Sequence, residues 1–387
     1  MPDFVNKKVK DIKPSGIRKF FDIASEIKGC ISLGVGEPDF DTPWHIREEG
    51  IYSLEKGKTY YTSNSGLKEL RIEISKYVNN KLNVNYNPLN EILITVGGSE
   101  AIDLCMRSII EPGDEILITT PCYVSYEPCV TLAGGIVKTI PLKNENEFRL
   151  TKKELIDAIT PKTKALIICF PNNPTGAIME YKDLCDIAEV CIKNDLLVVS
   201  DEIYSELTYG VNHASISQVP GMKERTVIVN GFSKAYSMTG WRLGYAMGPS
   251  DIIKAMTKIH QFCIMCAPTN SQYAAIEAIR NGDKDIIYMR EAYDERRRYL
   301  INRFKDMGLP CFEPKGAFYI FPEIKKFGLS SEEFCLKLLE EEKVVVVPGD
   351  AFGQSGEGYI RISYAYSIDD LKKALDRLEN FIKRLNK

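Results

Sequence analysis

Residues 226–242 read TVIVNGFSKAYSMTGWR, an apolar β-branched run that breaks into small and polar residues and then offers Lys234. Such a run suits a strand buried on both faces, and the loop after a strand of this kind is where an α/β protein places its chemistry. Comparable runs lie on either side: ILITV (92–96), EILIT (115–119), ALIICF (165–170), LLVVS (196–200) and LGYAM (243–247). They are separated by stretches with helical spacing such as TKKELIDAI (151–159), and the alternation predicts an α/β sheet covered by helices. After about residue 280 the pattern changes to longer charged helical stretches, with VVVVPGD (344–350) and GYIRISYA (358–365) as the strong strand candidates. A second, α+β lobe is expected to begin there. The last segment opens with SIDD, a capping pattern, and repeats Leu371, Leu375, Leu378, Ile382 and Leu385 along one helical face.

The length of 387 residues favours two domains, or one large domain with an appended lobe. Apolar residues at 44%, charged residues at 27% and a net charge of -3 describe an ordinary globular chain. The basic residues are scattered and outnumbered by acids, which argues against a nucleic-acid partner. The opening residues MPDFVNKKVKDIKP lack the apolar core of a signal peptide, and no apolar stretch approaches bilayer length. No membrane partner and a cytoplasmic location are expected. Eleven cysteines then read as reduced, mostly buried thiols. Cys263 and Cys266 form the CxxC pair, with His260 three residues before it; packing near a helix end is weighed against a metal site, and no metal is expected.

Several loops at strand ends carry reactive residue types. Ser233 and Arg242 flank Lys234, and a hydroxyl with a guanidinium suits a phosphate; an isolated loop with a surface arginine reads equally well. The strand ILITV ends in Gly97 and Gly98, with a helix opening at Ser99 and Glu100, and helix N-termini attract anions. That turn matches neither GxGxxG nor GxxxxGK[ST], which argues against NAD and ATP. Asp201 follows LLVVS and can hold a pyridinium nitrogen protonated, while Tyr204 can donate to a phenolate oxygen; the alternatives are a helix cap and a core tyrosine. In PNNPTG (171–176) Asn173 offers an amide, and Pro174 makes the turn rigid. Arg361 inside GYIRISYA needs a partner, either a substrate carboxylate or a structural ion pair.

The ordered set GEPDF, YY-x4-G, GGSEAI, P-x-Y-x-x-Y, NNPTG, SDEIY, SK-x7-R, PKGAFY and IRIS resembles the class I aminotransferases of the aspartate aminotransferase family, from about Ser15 to Ser363. SGIRKF, SDEIYSELTY and SMTGWR are most similar to the bacterial branch with aspartate, aromatic and N-acetyl-diaminopimelate aminotransferases. The resemblance implies fold type I: a mixed, mostly parallel seven-stranded sheet in a large domain (45–280), and a small domain from both chain ends (1–44 and 281–387). It implies pyridoxal 5'-phosphate as cofactor, amino acid and 2-oxo acid as substrates, and a homodimer. By position Lys234 matches the lysine that condenses with the cofactor, and Asp201 the partner of the pyridine nitrogen. Asn173 and Tyr204 match the donors to the phenolic oxygen, and Tyr123 the stacking aromatic. Gly98, Ser99, Ser233 and Arg242 match the phosphate cup, with Glu100 beside them. Tyr61 matches the tyrosine lent to the neighbouring subunit's cofactor, Gly36 and Arg361 the clamp on the substrate α-carboxylate, and Asn173 is implied as a further substrate-binding residue.

The reaction implied is ping-pong transfer from an acidic or aromatic L-amino acid, aspartate-type foremost, to an oxo acid such as 2-oxoglutarate. A carbon–sulfur lyase or a ring-forming synthase on the same scaffold is the alternative within the class, and a ligand-sensing domain of a transcription regulator the alternative outside it. Two features are candidates for side-chain selection. One is the Ser15-Gly16-Ile17-Arg18 segment, set against a surface connection. The other is Arg107, set against a solvated helix arginine.

Overall fold

The computed structural model describes residues 4–12, 14, 16, 27 and 29–386. A short strand, β1 (Ile31–Ser32), precedes the strands of the main sheet: β2 (Ile92–Thr95), β3 (Glu115–Thr120), β4 (Ile136–Pro141), β5 (Thr163–Cys169), β6 (Leu197–Asp201), β7 (Thr226–Gly231) and β8 (Gly244–Met247). Their order is β2-β8-β7-β6-β5-β3-β4. Every pairing from β4 to β7 is parallel, and β8 runs antiparallel to both β7 and β2. The expected mixed, mostly parallel sheet is therefore present.

Strand periodicity explains how one chain covers both faces. Val227 and Val229 of β7 pack with Val199, Ile167 and Ile118 against Leu104 and Met256. Ile228, between them, joins Ile92, Ile94 and Met247 against Leu70, Ile74 and Val78. Each strand residue thus faces a helix, which is why the runs read as continuously apolar. The edge strand β4 departs from this rule and was not among the runs read as strands. Its Ile136, Lys138 and Thr139 are exposed, so no apolar run marks it, and only Ile140 is fully in the core.

The remaining strands join the two chain ends. β1 pairs in parallel with β10 (Val344–Val345). A three-stranded antiparallel sheet has β12 (Ile360–Ser363) between β11 (Val347–Pro348) and β9 (Tyr319–Ile320). The last helix, Ile368–Leu385, begins at Ser367, whose hydroxyl accepts the Asp370 N–H, and buries Leu371, Leu375, Leu378, Phe381 and Ile382. Cys105, Cys122, Cys169, Cys191 and Cys335 are buried, while Cys263 is exposed and the others lie between, so fewer thiols are packed away than expected. All eleven are free. Among the described residues no group of three or more His, Cys, Asp or Glu is placed to hold a metal ion, and no helix is long and apolar enough to cross a membrane.

Backbone approach between β8 and the turn after β2 is closer than any side chain permits. A Cβ on Gly244 would come within 2.6 Å of the Gly97 carbonyl carbon and 2.7 Å of the Gly98 nitrogen. Gly244→Ala should therefore lower the denaturant midpoint by an amount equivalent to about 1–3 kcal/mol. An unchanged midpoint would show that the two segments separate freely.

Candidate active site

Every strand of the main sheet except β8 runs in one direction, so their C-terminal ends deliver side chains to a single edge. There a cavity of about 310 Å³ opens. From β6 comes Asp201, from the turn after it Tyr204, and from the segment after β7 Ser233 and Lys234. The turn after β5 adds Asn173, the β2 turn adds Gly98 and Ser99, and the β3 loop adds Tyr123. Arg242, Gly36 and Arg361 complete the wall, although Gly36 and Arg361 come from opposite ends of the chain.

Lys234 is half-buried, and its Nζ donates to the Gly36 carbonyl at 2.6 Å. Burial pushes the ammonium down to about 8; Glu37 pulls it up, and Arg361 and Arg242 push it further down. A substantial neutral fraction near pH 8 is what a nucleophilic amine requires. Asp201 is buried at 5% exposure, with Oδ2 accepting from the Tyr126 hydroxyl at 2.6 Å and Oδ1 from the Ile203 N–H at 3.2 Å. Burial pushes its carboxyl up to about 6 against the pull of those two donors. Among the described residues neither Asp201 nor Lys234 has an ion-pair partner, so both charges remain free for a ligand.

Arg361 is 3% exposed, yet no carboxylate among the described residues pairs with it. It donates to Asn173 Oδ1 at 2.9 Å and to the Gly34 carbonyl, with Tyr319 and Phe352 rings at 4.5 and 4.7 Å from its guanidinium carbon. Its Nε is buried without a partner among the described residues. A guanidinium this desolvated, with a donor to spare, suits a carboxylate arriving from solution. Gly36 is required beside it, because a Cβ there would collide with the Tyr319 hydroxyl.

The anion cradle has a similar logic. Gly97 has φ 78°, and a Cβ on it would stand 2.7 Å from Arg242 Nη2, so the glycine lets the guanidinium come over the start of the Gly97–Ile109 helix. Arg242 itself has φ 52° and donates to the Thr239 carbonyl at 3.0 Å. Ser99 and Tyr123 hydroxyls lie 3.4 Å apart. A helix start, a guanidinium and the hydroxyls of Ser99 and Ser233 fit a phosphate, while Asp201 fits a protonated ring nitrogen.

Some expected residues are elsewhere. Glu100 lies outside the cavity wall, because its carboxylate reaches back to the Val96 N–H and meets His260 Nδ1 at 2.9 Å. That pairing engages Nδ1 of the histidine weighed as a metal ligand, while its Nε2 is buried. Arg107 is turned away as well, donating to Asp103 on its own helix at 3.3 Å and to Cys263 Sγ at 3.6 Å. Tyr61 is 79% exposed outside the cavity, next to Tyr60. Ser15, Ile17 and Arg18 lie outside the described residues.

Two residues were not assigned roles from sequence. Tyr126 holds Asp201; Tyr319 bonds the Tyr204 hydroxyl at 2.8 Å and lies against Arg361; Gly97, already named in the anion-binding turn, admits Arg242. The first two sit inside the P-x-Y-x-x-Y and PKGAFY motifs, whose spacing was the available signal.

The chain matches the aminotransferase class I and II family model over residues 28–378. It is 51% identical over 382 residues to the putative aminotransferase YugH of Bacillus subtilis (strain 168), covering 99% of each chain. It is 48% identical over 375 residues to an aspartate aminotransferase of Pyrococcus abyssi, covering 96% of each. In fold it aligns with the crystal structure of an aromatic aminotransferase from Pyrococcus horikoshii at a TM-score of 0.91 and 44% identity, covering 95% of this chain and 99% of that one. With similarity of this extent in both sequence and fold, the chain belongs to the class I and II aminotransferases.

Proposed function

We propose that this aminotransferase moves the amino group of an acidic or aromatic L-amino acid to a 2-oxo acid such as 2-oxoglutarate, with pyridoxal 5'-phosphate held around Lys234. The observation that carries this reading is a half-buried amine and a buried acid facing one cavity, neither tied into an ion pair among the described residues. When bound, the cofactor supplies an aldehyde that condenses with amines and a ring that accepts the electron pair left by a departing proton. The chain's residues do the rest. Gly98, Ser99, Ser233 and Arg242 would hold the phosphate, Tyr123 would face the ring, and Asn173 and Tyr204 would donate to its phenolic oxygen. Asp201 keeps the ring nitrogen protonated.

Arg361 fixes the substrate α-carboxylate with Gly36 beside it, which sets the direction in which the Cα–H bond points. Lys234 Nζ, released from the Gly36 carbonyl, takes the α-proton as general base and returns a proton as general acid. Water supplies the carbonyl oxygen as the first oxo acid leaves, the amino group stays behind in the site, and a second oxo acid enters the same clamp to receive it, giving ping-pong order. Tyr61, exposed outside this cavity, is assigned to the neighbouring site of a homodimer. Aspartate and aromatic donors both remain candidates, since both occur in the names of the relatives. Among the described residues the cations on the wall are Lys234, Arg242 and Arg361, so a second substrate carboxylate must be met from outside them. The Ser15–Arg18 segment is our candidate.

Lys234→Ala should reduce transamination by about a thousandfold or more and abolish the visible absorbance of a lysine-bound cofactor; retention of both sinks the proposal. Arg361→Lys should lower kcat/KM by about a hundredfold for every amino donor tested, because one ammonium cannot replace a two-point contact. Losses confined to acidic donors would instead move Arg361 to side-chain recognition.

Asp201 also makes a stability prediction. Its folded carboxyl is raised above the ordinary value, so the stability it contributes is complete at low pH and is lost as pH rises through about 6. Asp201→Asn should therefore raise the thermal midpoint of the cofactor-free chain at pH about 7.5 and raise it less at pH about 4.5, while impairing transamination. A lower midpoint at the higher pH would count against a desolvated charge at this position.

A further inference from the structure

Directly after Asp201 stands a second buried carboxylate that the reaction above does not use. Glu202 is 2% exposed, and its Oε1 accepts from the Ser200 hydroxyl at 3.0 Å and the Ser215 hydroxyl at 2.6 Å. Its Oε2 takes a hydrogen bond from His213 Nε2 at 2.9 Å. The backbone N–H of Glu202 is fixed on the Val229 carbonyl at 2.8 Å, so its position relative to Asp201 is set by the sheet. Asp201 lines the active-site cavity, whereas Glu202 and His213 line a separate cavity of about 290 Å³. Tyr77, Lys81, Glu206, Tyr245 and Arg290 face that second cavity from the neighbouring elements. Glu206 is already matched there by Lys81 at 3.2 Å and by the Tyr77 hydroxyl.

Anchoring the Ser215 loop does not require a carboxylate. An amide oxygen could accept both serine hydroxyls without the cost of desolvating a charge. What the carboxylate adds is negative charge one residue from Asp201, opposing the two donors that draw proton affinity out of that acid. We propose that Glu202, fixed by Ser200, His213 and Ser215, is a positioning residue whose charge keeps Asp201 a strong hydrogen-bond acceptor toward the cofactor's ring nitrogen. The inference rests on the assignment of Asp201 made above and adds a residue that touches neither cofactor nor substrate. The lift that Glu202 gives the Asp201 carboxyl agrees with it in sign.

The test follows Asp201 by carboxyl-carbon NMR in the full chain before cofactor is added, its signal assigned by its loss in Asp201→Asn. Glu202→Gln should move the Asp201 titration down by about one pH unit. In the loaded enzyme it should lower kcat about fivefold with KM held within about twofold, and shift the pH dependence of the cofactor's absorbance. Ser215→Ala breaks a bond to the same carboxylate but keeps the charge, and should leave the Asp201 titration in place. An unmoved titration in Glu202→Gln, or equal movement in Ser215→Ala, overturns the proposal. Should the amide variant not fold, Glu202→Met is read instead: it also removes the charge, so the Asp201 titration must fall, and a rise or no change overturns the proposal. If Asp201→Asn leaves cofactor affinity and absorbance unchanged, the earlier assignment fails. If that variant behaves as expected and the Glu202 variant is silent, only this inference does.

Discussion

The structure depends on keeping an amine and an acid desolvated in one cavity without letting them neutralise each other. In water such groups would be screened; in the interior a direct contact would hold them as a closed pair. The fold prevents this by giving each a different neutral partner. Lys234 is held by a backbone carbonyl, and Asp201 by a phenol and a backbone N–H. Burial shifts both groups toward neutral pH, the amine downward and the acid upward, against the pull of the phenol and the N–H on the acid. That opposite displacement is the pattern expected where proton transfer is to occur.

Arg361 extends the same economy to a third charge. It is lodged between two aromatic rings and bonded to an amide and a carbonyl, none of which satisfies its charge. The cavity therefore has one acid and cationic groups on several sides, a polarity suited to a ligand that carries a phosphate and a carboxylate. Glycine at positions 36 and 97 makes the arrangement possible, since any side chain there would occupy the space of Tyr319 or Arg242.

Much of this was readable from the chain because buried parallel strands leave a continuous apolar trace and reactive residue types interrupt it at their ends. β2, β3, β5, β6, β7 and β8 each coincide with such a run. β4 left no trace because its edge position exposes Lys138 and Thr139. Glu100 and Arg107 were placed on the correct helix, but spacing along a helix does not say which groups compete for a side chain; Val96, His260, Asp103 and Cys263 do so here. Tyr126 and Tyr319 were opaque because tyrosine is common in cores. Their partners Asp201 and Tyr204 lie 75 and 115 positions away, beyond any local pattern.

The short β1–β10 ladder has a consequence for how the molecule is made. Gly34 receives Arg361 across 327 positions, and Leu33 is clamped by Val345 and Ser363. The Leu33–Gly36 part of the wall cannot find its seat until the segment from Val345 to Ser363 has left the ribosome, more than 300 positions later and an interval on the order of tens of seconds. Until Arg361 has been added and seated, Lys234 lacks one of the cations that set its proton affinity.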